Sequence, residues 1–78
     1  MEYTINDIEK IREFKSWSDK KKIDELLRID CDLYTNLGTD STKSERLEAR
    51  KNSRKIYRQI KQIDHKTGND LLVVMDRD

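Results

Sequence analysis

Asp30-Cys31-Asp32 and His65 are the residues of this chain whose types could hold a metal ion or support nucleophilic chemistry. A metal site needs several Cys, His or carboxylate ligands converging on one point, and a nucleophilic thiol needs a base beside it. The chain has one Cys and one His, far apart in sequence. On a helix, residues i and i+2 point about 200° apart, so Asp30 and Asp32 cannot share an ion. Glycine occurs only at Gly38 and Gly68, which excludes a Gly-rich phosphate loop. His65 reads as a solvated or helix-terminal histidine, and Cys31, beside an apolar stripe, as a small packing residue. The expectation is a protein that is not an enzyme and carries neither metal nor cofactor.

Binding chemistry is better represented. Residues 43–61 hold eight Lys/Arg and two Asp/Glu, a basic block between mildly acidic segments, in a chain whose net charge is +1. Lys43, Arg46, Arg50, Arg54, Arg58 and Lys61 follow one another at steps of three or four. On a helix they form one stripe, with Lys51 and Lys55 to one side. Such a stripe could track phosphates. It could equally be a solvated face that pairs with Asp24, Asp30 and Asp32 of a preceding acidic helix, and the near-neutral total favours that protein-facing reading over nucleic acid.

Asp30 interrupts an apolar stripe where Leu or Ile would be expected. A buried, unpaired carboxylate costs several kcal/mol, so Asp30 requires a partner, and Arg50 or Arg54 from an antiparallel neighbour is the expected one. Such a pair stabilises little but can fix the register of two helices. The other unexplained feature is the apolar run Leu71-Leu72-Val73-Val74-Met75. It either closes the helical core or offers a strand edge to another chain. In the second case it would be the partner-binding segment, and an uncovered edge would invite aggregation.

The elements that must position these residues follow from periodicity and capping. Absence of proline and abundant Lys, Glu and Arg favour helix. A first helix begins after Thr4, with Asp7 as capping-box partner, and carries Ile8, Ile11 and Phe14 on one stripe. Ser16 or Ser18 caps a second helix, with Asp19 in its positive first turn. Its apolar face holds Ile23, Leu26, Leu27, Leu33, Tyr34 and Leu37, and Gly38 stands where a left-handed residue commonly ends a helix. Thr42 with Glu45 fits a capping box, with Asp40 or Ser41 as alternative caps, and starts a third helix running to about Asp64 through Leu47, Ile56, Tyr57, Ile60 and Ile63. Residues 65–69 read as a turn, and 71–75 as a short strand whose only internal partner would be Glu2-Tyr3-Thr4-Ile5.

The expected architecture is one all-α domain over residues 1–78. It has three helices, the second and third forming an antiparallel hairpin across Gly38–Thr42, and a short extended or β C-terminal tail. The expected core is Ile8, Ile11, Phe14, Ile23, Leu26, Leu27, Leu33, Leu37, Leu47, Tyr57, Ile60 and Ile63. With 33% hydrophobic and 42% charged residues, that core is thin. A thin core with apolar surface to spare gains most from a partner, so self-association or a foreign protein is expected. The single cysteine fits a reducing, cytoplasmic setting. No apolar run approaches the ~20 residues of a membrane span.

The stretch Asp32-Leu33-Tyr34-Thr35-Asn36-Leu37-Gly38-Thr39-Asp40-Ser41-Thr42, followed by Lys43-Ser44-Glu45-Arg46 and Arg54-Lys55-Ile56-Tyr57, resembles small uncharacterised proteins of large tailed bacteriophages. The resemblance covers about residues 23–64 and lies in a cap-and-helix signature without a chemical motif, so it carries over no functional residues. It implies a phage-encoded accessory protein in the host bacterial cytoplasm or the virion, either a small virion component or a binder of a host factor. The reading of function is therefore a non-catalytic protein–protein interaction protein, self-associating, with nucleic-acid binding by the basic helix as the alternative.

Overall fold

The computed structural model describes residues 3–77, and they are helical almost throughout. A 3-10 turn at Ile5–Asp7 runs into the short helix α1 (Ile8–Arg12), followed by α2 (Asp19–Thr35), α3 (Lys43–Ile63) and α4 (His65–Arg77). The expected start signals act as caps. Thr4 and Asp7 close a reciprocal capping box, with the Thr4 N–H donating to Asp7 Oδ2 at 2.9 Å. Ser18 Oγ accepts from Lys21 N at 3.2 Å, and Thr42 Oγ1 from Glu45 N at 3.1 Å. Each satisfies one of the backbone donors that a helix start leaves without an intrahelical acceptor. At the end of α1, Lys22 Nζ reaches the Arg12 carbonyl at 2.9 Å, the complementary service for a helix C-terminus.

Three expectations are corrected. The architecture has four helices, not three, and no strand among the described residues, so the tail is neither extended nor β. Tyr3 to Ile5 pair with nothing in strand fashion, and Glu2 lies outside the described residues. Residues 65–69 are no turn but the first turns of α4. The whole reversal falls on Asp64, whose extended backbone (φ −139°, ψ 102°) breaks the helix for one residue. Asp64 then caps α4, its side chain accepting from Thr67 N at 3.4 Å and its carbonyl from Gly68 N at 3.1 Å. As a helix, the run 71–75 sorts its side chains by face: Met75 is buried, Leu71 and Leu72 half-buried, Val73 and Val74 exposed. Finally, α2 ends at Thr35 with Asn36 in right-handed geometry, and no described residue has positive φ. Leu37 and Gly38 belong to the loop.

Gly68 has a purpose other than turning. A β-carbon there would overlap the Lys61 backbone, so α4 crosses α3 at a distance only glycine permits. From that crossing α4 runs back along α3: Arg50 and Arg54 meet Met75 and Asp76 near its far end. The two helices are thus an antiparallel pair. The α2–α3 hairpin is antiparallel as expected, with Asp30 opposite Ser53 and Tyr57.

The core is a cluster of Ile8, Ile11, Leu26, Ile29, Ile56 and Ile60. Burying each such side chain contributes roughly 1.5–3 kcal/mol, against which chain entropy must be set. Phe14, Ile23, Leu27, Leu33, Tyr57 and Ile63 pack around it as half-buried residues. Leu47, expected inside, is 58% exposed. What α3 buries in its first half is Ala49 and Ser53, and the Ser53 hydroxyl meets Asp30 of α2. Tyr3, Phe14 and Trp17 close the amino-terminal end with ring centroids 4.9–5.7 Å apart, and Lys21 Nζ lies 4.4 Å from the Trp17 ring centre. The Cα envelope of 40 × 32 × 14 Å is a slab about two helices deep, which leaves broad faces to solvent.

Candidate functional site: a cation-edged apolar groove

α3 is the longest helix, and its first two turns extend past the end of α4. There Leu47 stands uncovered. Opposite it are Tyr34 from the last turn of α2 and Val74 from α4, respectively 45% and 59% exposed. Between them lies an open groove of about 500 Å³, floored by Leu71, Met75 and Tyr57. The charged side chains that line it are Lys43, Arg46 and Arg50, with no carboxylate among them. Lys43 and Arg46 make no ion pair among the described residues, while Arg50 donates to the Met75 carbonyl at 2.8 Å. On the other side of Leu47, Lys51 and Arg54 border a smaller depression. An exposed leucine thus stands within a ring of cations.

The basic stripe is divided by this arrangement. Arg50 and Arg54 serve α4: one donates to a carbonyl in the last turn, and the other pairs with Asp76 at 2.9 Å. Cations at a helix C-terminus satisfy orphan carbonyls and complement the helix dipole. Lys61 is half-buried under the Gly68 crossing, and Arg58 is exposed without an ion pair among the described residues. Of the six residues expected to line up on phosphates, Lys43, Arg46 and Arg50 meet at the groove and Arg50 with Arg54 at the smaller depression, while Arg58 and Lys61 line neither. The acidic side chains expected to neutralise the stripe are engaged elsewhere, Asp24 with Lys20 at 3.7 Å and Asp32 with Arg28 at 2.7 Å.

Asp30 does have partners, but not Arg50 or Arg54. Its carboxylate accepts from the fully buried Ser53 hydroxyl and, at 2.7 Å, from the Tyr57 hydroxyl. Burial, and then the hydrogen bond to Asp30, push the Tyr57 phenol up to about 12. Two neutral donors serve where a cation was expected because the arginines are drawn to the end of α4. The Asp30 cluster lies at the inner edge of the groove, where Tyr57 belongs to both.

The expected partner-binding tail is likewise split. Leu71, Val74 and Met75 line the groove, Leu72 is half-buried, and Val73 is exposed outside it. Cys31 is exposed rather than packed, with its Sγ 3.9 Å from Thr35 Oγ1, and His65 is exposed at the start of α4. Among the described residues no three His, Cys, Asp or Glu lie close enough to hold a metal, and no helix is long and apolar enough to cross a membrane. Sequence reasoning missed Leu47 as a site residue. The available signal was Leu47 itself, an isolated leucine flanked by Arg46, Arg50 and Lys51.

No protein-family model matches this chain, and no curated protein or solved structure is similar to it. Its own surface chemistry carries the functional argument.

Proposed function

We propose that this protein is a non-catalytic interaction domain that docks another protein chain in the groove between α2, α3 and α4. One observation carries the reading. Tyr34, Leu47 and Val74, three large apolar side chains exposed to water, are gathered around one concave site. Exposed apolar residues scattered singly need no explanation, but gathered around a groove they mark a site of association. Aromatic anchors beside aliphatic residues are the composition that dominates protein interfaces. The titratable residues support a non-catalytic role, since Cys31 and His65 sit on different helices, both exposed and neither lining the groove. The resemblance to phage accessory proteins is compatible with this reading, the docked chain being either a host factor or another virion component.

Self-association through the groove itself would set Lys43 and Arg46 of one copy against the same residues of another. An unlike partner therefore suits the site better than an isologous dimer. The test is selection of binders from a displayed library of helical peptides on the wild-type protein, with counter-selection on a Leu47→Asp, Val74→Asp variant. Enriched peptides that shift the NMR signals of residues 43–50 and 71–75 support the proposal. Binders that map elsewhere, or that bind the variant equally, refute it. Binding of duplex or single-stranded DNA that weakens steeply with salt and is lost on changing Lys43 and Arg46 would move the function to nucleic acid.

A further inference from the structure

We propose that the occupant of the groove is an amphipathic helix from a partner protein whose apolar stripe is edged with Asp and Glu. The proposal rests on the groove being a protein-docking site and adds the chemistry of the partner. The shape of the site comes first. Lys43, Arg46, Leu47 and Arg50 form the α3 wall at positions i, i+3, i+4 and i+7, the repeat by which one helix face meets another. That wall rises about 10.5 Å, two helical turns, and α4 stops short of covering it. A helix laid against it would bring side chains at the same spacing onto Leu47 and Val74, the helix-in-groove mode of recognition.

Charge then selects the occupant. Every charged side chain lining the groove is a cation, and Lys43 and Arg46 carry no partner among the described residues. Lys51 and Arg54 extend the same sign past Leu47. A docked helix with a basic margin would place like charges together across a desolvated contact, whereas carboxylates at its margin would form charge-assisted bonds to guanidinium groups. The site is too open for a small apolar ligand, which requires most of its surface enclosed. Its apolar floor is of no use to a phosphate backbone.

Fluorescence anisotropy with three labelled helical peptides tests the proposal. The first has a leucine stripe edged with Glu, the second the same stripe edged with Lys, and the third keeps the Glu residues but has Gln in place of Leu. The first should bind the wild-type protein, and the other two at least roughly tenfold more weakly. Arg46→Glu should weaken the first peptide by about tenfold and narrow or reverse the preference over the second. Lys55→Glu, the same change of net charge outside the groove, should alter neither. Equal binding of the Glu-edged and Lys-edged peptides would overturn the charge selection and leave groove docking standing. Failure of both leucine peptides to bind would remove groove docking as well. Binding of the Gln peptide as tight as that of the first, weakened equally by Arg46→Glu and Lys55→Glu, would reveal general attraction of polyanions and overturn the proposal. The peptide comparison needs no variant, so it stands even if a substitution disturbs folding.

Discussion

Ser53, Asp30 and Tyr57 join α2 to α3 through a carboxylate that accepts two hydroxyl hydrogen bonds. Because the folded protein holds the Tyr57 proton up to about pH 12, against 10.0 for the free phenol, the unfolded chain releases it first as the medium becomes alkaline. The stabilising contribution is therefore complete below pH 10 and disappears between pH 10 and about 12. Urea unfolding across that window should show a fall in stability for the wild type and a smaller one for Tyr57→Phe. Replacing Asp30 with Leu leaves the buried Ser53 hydroxyl without its acceptor, at a cost of about 1–3 kcal/mol, while Asp30→Asn keeps an acceptor and should cost less. Both variants should retain the helical circular dichroism of the wild type. A stability of Asp30→Leu above that of the wild type would show the cluster to be no support of the fold. That Asp30 needs a partner was legible from its place on an apolar stripe. The identity of the partners was not, because the choice between arginine and hydroxyl depends on where α4 ends, and α4 itself was unread.

At the scale of elements, caps made the legible boundaries. Ser18, Thr42 and Glu45 are local signals, acting within one turn, and the starts of α2 and α3 lie where those residues place them. α4 was illegible for two reasons. Gly68, read as part of a turn, is a residue of close approach, and close approach depends on Lys61 across the helix pair. The run 71–75 looks uniformly apolar, and its division into buried Met75 and exposed Val74 emerges only once α3 covers one side. Gly68→Ala should consequently destabilise the protein by about 1–3 kcal/mol through overpacking, although alanine favours helix by up to about 1 kcal/mol where no neighbour intervenes. Gly38→Ala, whose added carbon meets only the tip of the Asp40 side chain, should change the melting temperature far less. Thr42→Ala, which removes the α3 cap, should cost about 1 kcal/mol by the same melting measurement.

Across the whole molecule, the fold's core and the proposed docking face lie at opposite ends of α3. Its second half buries Ile56 and Ile60 completely, and its first half displays Leu47. Ile56→Ala should therefore cost about 2–5 kcal/mol in chemical denaturation, and Leu47→Asp less than about 0.5 kcal/mol. A large loss from Leu47→Asp would mean that the leucine supports the fold rather than displaying itself to a partner. α1, α2 and α4 all pack on α3, and α4 finds in α3 its main neighbour. α4 is also fastened at its two ends, by the Gly68 crossing and by Arg50 and Arg54. Such an element should open as a separate unit, leaving the Ile11, Leu26, Ile56 and Ile60 cluster closed. Native-state hydrogen exchange would register this as α4 amides that exchange through a smaller free-energy gap than those of α2 and α3. Carboxylates that arrive to draw Arg50 toward the groove would loosen one of the two fastenings, so the last turn of α4 would breathe faster at the moment its other face becomes an interface.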